Sequence, residues 1–140
     1  MNTGISDPQR FADAARNLIG TQFKLHGRDP EIGLDCVGLI GASLKAIGRQ
    51  ADLPSGYAFR NSSISEWIDC AATSGLEPTI GAVKTGDVLL MTPGPAQHHL
   101  AIALSADTIV HAHAALRRIV VQPLAPGTKL VAHWRLQTLP

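Results

Sequence analysis

His99-Leu100-Ala101-Ile102-Ala103-Leu104, the turn Ser105-Ala106-Asp107 and the run Thr108-Ile109-Val110-His111-Ala112-His113 form the stretch whose reading decides the fold. Both runs alternate with a period of two, the pattern of a strand with two unlike faces. In the first, His99, Ala101 and Ala103 share one face and Leu100, Ile102 and Leu104 the other; in the second, Ile109, His111 and His113 share a face. The short turn makes the two runs neighbours in an antiparallel hairpin, so His99 and His111 are expected to meet across it. The large residues are expected to enter the core. The alanines leave a low surface beside His99, against which a helix terminus could pack closely.

Around this hairpin, Asp87 to Met91, Ile119 to Leu124 and Lys129 to Leu136 are further short, β-rich runs between Pro, Gly or Ala-Asp turns. Together they predict an antiparallel meander of about five strands. The first half is different. Ser6-Asp7-Pro8-Gln9 carries a Ser N-cap, an acid and an early Pro, and Phe11, Ala14, Ala15, Leu18 and Ile19 then mark one helical face that Gly20 ends. Residues 21–34, rich in Gly, Asp and Pro, read as a loop of the kind that often carries function. Asp35 is expected to cap a second helix from Cys36 to about Ile47, with Val37, Ile40, Leu44 and Ile47 inward and Gly48 at its exit. After a turn around 53–57, Ser63-Ile64-Ser65-Glu66 forms a capping box for a short helix through Trp67, Ile68 and Ala71 that stops near Gly75. Helices first and strands after is the α+β pattern, with the helices on one face of a strongly bent sheet.

At 140 residues and 45% hydrophobic content the chain suits one domain, 1–140, with a core that needs neither disulfides nor structural metal. Disorder is excluded. Twelve Lys+Arg against 11 Asp+Glu give a net charge of +1, scattered singly, so nothing advertises a nucleic-acid partner or an anionic membrane. No apolar stretch approaches the roughly 18 residues of a membrane span, and residues 1–9 are polar, without a signal peptide. Synthesis in the cytosol is the expectation.

Cys36 falls at the first turn of the predicted second helix, where unpaired N–H groups and the helix dipole favour an anion. That position should ease ionisation of the thiol, and the same N–H groups could hold the oxyanion of a tetrahedral intermediate. On composition alone a small buried residue is the plainer reading of Cys36. A partner base changes that, and five of the six histidines lie from His98 onward. His99 supplies a base and His111 a residue to orient it.

Four motifs then stand in order: Leu34-Asp35-Cys36-Val37-Gly38-Leu39-Ile40, Gly86-Asp87-Val88-Leu89, His99-Leu100-Ala101-Ile102-Ala103-Leu104 and Ile109-Val110-His111-Ala112. This resembles the NlpC-type family of papain-like cell-wall cysteine peptidases, which reads approximately Asp-Cys-Ser-Gly-Leu-Val, Pro-Gly-Asp-Leu, His-Val-Gly-Ile-Tyr and Phe-Ile-His-Ala. Gly20-Thr21-Gln22-Phe23 matches its Gly-Thr-Pro-Tyr, and the compact form resembles its branch in phage tails and gene-transfer agents, whose tail proteins become candidate partners. Each motif is weak alone; four in order, with the two histidines 12 residues apart, are strong together.

The resemblance implies a papain-like fold, no cofactor, Cys36 as nucleophile, His99 as general base and His111 as the orienting residue. It also implies the substrate, peptidoglycan stem peptides cut between D-γ-glutamyl and a diamino acid. Two departures touch substrate binding. Val37 stands where many members have Ser, and Phe23 where they have Tyr. In the family the Asp and Ser beside the nucleophile help bind a free L-Ala amine, so Asp35 is left with part of that role and Val37 with none.

Other histidines have plainer readings. His111 and His113 with His99 suggest a metal site, but no acidic or thiolate ligand has a fitting spacing. His113 reads as a rim residue and His133 as structural, while His26 and His98 take no assigned role. Cys70 reads as helix packing, Asp87 as a turn residue, and Gly38 and Gly41 as positions of close approach. Two rivals stay open: an amidase or acyltransferase of the same fold on a non-murein substrate, and a non-catalytic tail assembly module. The second would have no need of Cys36, His99 and His111 together.

Overall fold

The computed structural model describes residues 5–53, 65–92 and 98–137. Ser6 opens the first helix, α1 (Asp7–Arg16), with its hydroxyl accepting from the Gln9 N–H at 3.3 Å. Phe11, Ala12 and Ala15 are buried. The helix stops at Arg16, earlier than expected, so Leu18 and Ile19 leave its phase and Ile19 turns outward. Residues 21–34 are less irregular than their composition suggests: β1 (Arg28–Asp29) and β2 (Gly33–Leu34) form a small antiparallel hairpin, and Phe23 bridges to Leu34. Strands of two residues are too short for alternation to reveal.

The second helix, α2 (Cys36–Ala46), starts on Asp35, whose carboxylate accepts from the Gly38 N–H at 2.8 Å. Val37, Ile40, Leu44 and Ile47 are buried, as its pattern requires, and Gly48 leaves the helix at φ +80°. The third, α3 (Ser65–Thr73), buries Trp67 and Ala71 and turns Ile68 outward. The Ser63 end of the expected capping box, like most of the turn around 53–57, lies outside the described residues. Among the described residues no helix is long and apolar enough to cross a membrane.

Six more strands follow: β3 (Leu76–Pro78), β4 (Val88–Met91), β5 (His99–Ser105), β6 (Thr108–His113), β7 (Arg118–Pro123) and β8 (Leu130–Leu136). They form one antiparallel sheet in the order β3-β8-β4-β5-β6-β7. This α+β architecture is the expected one, with two corrections. β3 adds a sixth strand, an edge strand of three residues ending in Pro78 that carries too little pattern to be read. The meander covers only β4 to β7, because β8 returns to pair with β4 instead of continuing beyond β7. Register shifts at Leu90/Met91 and Ala103/Ser105 interrupt the ladder on either side of β4 and β5, the local device that bends a sheet.

The helices pack on the face made by Val88, Leu90, Leu100, Ile102, Val110 and Trp134. The low alanine face, against which a helix terminus could have packed, instead buries Ala101 with Leu89, Met91 and Ile109, flanked by Val83, Leu124 and Leu130. The larger residues offer α2 more apolar area to bury, and burial scales with that area. At the outer edge, the Ile119 N–H donates to Thr21 O at 2.8 Å and the Phe23 N–H to Arg117 O at 2.9 Å, so the Gly20 to Phe23 segment covers the start of β7.

Asp87 explains the place of β8. Fully buried at the head of β4, it accepts from His133 Nε2 at 2.6 Å, from Arg135 Nε and Nη2 at 2.8 Å each, and from the Lys84 N–H at 2.8 Å. The turn role expected of Asp87 is thus only one of its roles, since the carboxylate also ties β8 to β4. Burial alone would push its carboxyl up, but the bonds from Arg135, His133 and Lys84 overrule it and hold the value below 3.8. The folded value is lower than the unfolded one, so this stabilisation is present above about pH 4 and is lost as pH falls through the folded value. Asp87→Asn should therefore destabilise the protein by about 3–5 kcal/mol near neutrality, with the gap to the unaltered protein closing in acid. Urea unfolding at pH 7 and pH 3 checks this; an equal gap at both would reject the ionic account.

Candidate active site

The N–H groups of the first turn of α2 need partners outside the helix, because the helical ladder begins only with the Leu39 N–H, which donates to the Asp35 carbonyl at 2.9 Å. The Gly38 N–H donates to Asp35 Oδ1. Those of Cys36 and Val37 both act on the Cys36 thiol. Asp35 is 2% exposed and does more than cap. Its Oδ2 accepts from the His26 N–H at 2.8 Å and its Oδ1 from Arg28 Nη1 at 3.1 Å. His26 holds φ at +63°, a left-handed conformation uncommon outside Gly and Asn, and thereby aims its N–H at the carboxylate. The loop comes so close that a Cβ on Gly38 would lie 2.0 Å from Gly27 O. Gly38 is thus a position of close approach, as its place on the helix suggested.

Cys36 is half-buried at this helix start, packed against the main core. Burial pushes its thiol up to about 12; the N–H groups of Leu100, Val37 and Cys36 itself work the other way, while the Asp35 charge adds to the rise. The helix start was expected to ease ionisation. It does act in that direction, but a helix-end field is worth about 0.3–1 kcal/mol, and desolvation of the thiolate outweighs it. The Leu100 N–H brings the thiol against β5, one residue beyond His99.

His99 and His111 meet as the hairpin predicts. Ile102 pairs with Val110, and continuing that register sets His111 diagonally across from His99 on one face. His99 Nε2 and His111 Nδ1 are 2.6 Å apart, with the rings nearly perpendicular at 83°. Burial pushes His99 down to about 3, with further lowering by His111 and His113. Burial likewise lowers His111, which is 6% exposed. Thiol and imidazole are therefore both neutral at rest. No hydrogen bond joins Cys36 to His99 directly.

The remaining candidates separate by structure. His113 accepts from the Leu116 N–H at 3.1 Å and so holds the turn after β6. His133 belongs to the Asp87 cluster. His98 lies 6.4 Å from Trp67 between ring centroids. Among the described residues no group of three His, Cys, Asp or Glu converges as metal ligands would.

Of the residues read as substrate-binding, Phe23 is half-buried beside Leu34, and Asp35 is enclosed by its partners. Val37 is 1% exposed and faces a small apolar cavity with Ile40, Trp67, Cys70 and Leu100, so its side chain offers no surface to a ligand. It is inward by helical phase, which overrides its neighbour's chemistry. Arg28 is a member of the site that the sequence does not reveal. It sits in an ordinary turn, Gly27-Arg28-Asp29-Pro30, and only the folding of β1 against α2 brings it to Asp35.

None of the curated proteins searched matches the sequence. Among solved structures, NlpC2 from Trichomonas vaginalis superposes with a TM-score of 0.73 at 15% identity, over 99% of this chain and 49% of that one. The NlpC/p60 domain of the peptidoglycan hydrolase SagA gives 0.62 at 21% identity, over 94% of this chain and 98% of that one. The peptidoglycan hydrolase RipB from Mycobacterium tuberculosis gives 0.62 at 16%, over 94% and 66%. The chain thus spans about half the length of the Trichomonas structure and nearly all of the SagA domain. These likenesses show the papain-like α+β fold. A family profile matches residues 20–133, from the Gly20 segment through α2 and the two histidine strands to His133, and by that match the chain belongs to the NlpC/P60 family.

Proposed function

We propose that the chain is a cysteine peptidase acting on peptidoglycan stem peptides, with Cys36 as nucleophile, His99 as general base and His111 as the residue that orients it. The observation that carries this reading is the His99–His111 bond at the head of β5, beside a thiol that the Leu100 N–H holds against the same strand. Membership of the NlpC/P60 family and the fold shared with two peptidoglycan hydrolases support the substrate class. The bond attacked is, on this reading, the one between D-γ-glutamyl and a diamino acid.

The chemistry runs from neutral partners. His99 takes the thiol proton as sulfur attacks the amide carbonyl carbon, and the Cys36 and Val37 N–H groups stand ready to stabilise the oxyanion. The intermediate collapses with proton transfer from His99 to the leaving amine. Water, activated by His99, then hydrolyses the thioester, freeing the carboxylic acid and restoring the thiol. The thiolate is made during reaction instead of being stored.

Incubation with defined muropeptides and mass spectrometry of the products tests the reading. Cys36→Ala and His99→Ala should both abolish cleavage, since members of one catalytic unit fail alike, while Cys70→Ala keeps it. His111→Asn should be milder, because an amide can still accept a hydrogen bond from the base. Full turnover by Cys36→Ala would reject the assignment.

With Cys70→Ser removing the other thiol, iodoacetamide should label Cys36 slowly at pH 7 and steadily faster up to at least pH 10. A plateau below pH 7 would show a stored thiolate instead.

Arg28 bears on specificity. It already pairs with Asp35, so the acid beside the nucleophile is engaged and less able to prefer a free L-Ala amine. Free tetrapeptide and glycan-linked stems should be cut at comparable rates. Arg28→Gln should shift preference toward the free amine, by up to about 1–3 kcal/mol in relative kcat/KM. A strong preference for free peptides in the unaltered protein would refute this.

A further inference from the structure

The bond between the two histidines leaves a proton to be placed. If His99 is to accept the thiol proton, its Nδ1 must carry the free lone pair, so its Nε2 carries the hydrogen and donates to His111 Nδ1. His111 must then carry its own hydrogen on Nε2. That nitrogen is buried and makes no well-formed hydrogen bond. A buried N–H without an acceptor is costly, and the opposite arrangement, with His111 donating from Nδ1, would put the hydrogen on His99 Nδ1 and remove the base.

An acceptor stands on the next strand. In the β6–β7 register His111 pairs with Val120 and Ile109 with Gln122, so Gln122 is the diagonal neighbour of His111 on the same sheet face. Gln122 is exposed, and its carbonyl oxygen is the atom type the His111 Nε2–H needs. We propose that Gln122 is a positioning residue: by accepting from His111 Nε2–H it selects the tautomer pair that makes His99 a base. The Gln122 amide already favours the charged form of His111, against the lowering by burial and by His113, although its resting geometry falls short of a full bond to Nε2. The proposal rests on the reading of Cys36, His99 and His111 given above and extends it by one strand.

Histidine-selective 15N NMR of the ring nitrogens, with muropeptide kinetics alongside, tests it. The unaltered protein should show hydrogen on Nε2 of both His99 and His111. Gln122→Leu, an exposed change of similar size, should populate the opposite tautomers and lower kcat about three- to tenfold with KM little changed, the range expected for one lost hydrogen bond. Gln122→Glu, which keeps an acceptor at the same reach, should restore the original tautomers. If Gln122→Leu leaves both tautomers and kcat unchanged, or lowers kcat without moving the tautomers, the proposal is overturned. Cys36→Ala, run in parallel, separates the two failures. Its full turnover would overturn the peptidase reading itself, whereas an inactive Cys36→Ala beside an unaffected Gln122→Leu would overturn only the role of Gln122.

Discussion

The Asp35 carboxylate is the constraint on which the site depends. One buried group caps the helix start that bears Cys36, holds the left-handed His26 backbone and pairs with Arg28. Hydrogen bonds to a charged acceptor are about twice as strong as neutral ones, and three of them converge here from two segments of chain. The arrangement demands a residue without a side chain at Gly38, because the Gly27 carbonyl occupies the space a Cβ would need. Cys36 is thus placed by the anchoring of a loop as much as by the helix itself.

This anchoring has an electrostatic side. A carboxylate beside a thiol opposes its ionisation, and so does burial, while the helix start favours it. Arg28 offsets part of the acid's charge, yet the sum still favours the neutral thiol. His99 responds to the same scarcity of water in the opposite chemical sense, since for a base it is the protonated form that is charged. Two groups kept neutral by one environment become an ion pair only when the proton passes from sulfur to imidazole.

Much of this is legible in the sequence, and the limits are instructive. The period-two runs around His99 and His111 predict their meeting because a hairpin with a short turn leaves little freedom of register. Asp35 and the inward residues of α2 are legible because caps and helical phase are local rules. What escapes is non-local. β3 and the hairpin of β1 with β2 are too short to carry a period, the return of β8 to β4 is dictated by Asp87 meeting His133 and Arg135, and Arg28 reaches Asp35 only through tertiary folding. Val37 is among the inward residues of α2: the family likeness places it beside the substrate, but helical phase, legible in the sequence, sends it to the core. The thiol departs from expectation because a sequence reveals the helix start and conceals the desolvation.

The return of β8 to the middle of the sheet also orders events in time. β4 lies between β5, which follows it closely in sequence, and β8, which is supplied only after β5, β6 and β7. Until that strand is made, β4 remains an edge, and the Asp87 carboxylate lacks the two side chains that balance its burial. Pairings of such long sequence separation form slowly, because the loop must close before any contact compensates for it. A ribosome-bound chain that has displayed both Cys36 and His99 is therefore still missing the strand that completes its sheet, and the hairpin carrying the histidines waits on the synthesis of Arg135 for its final support.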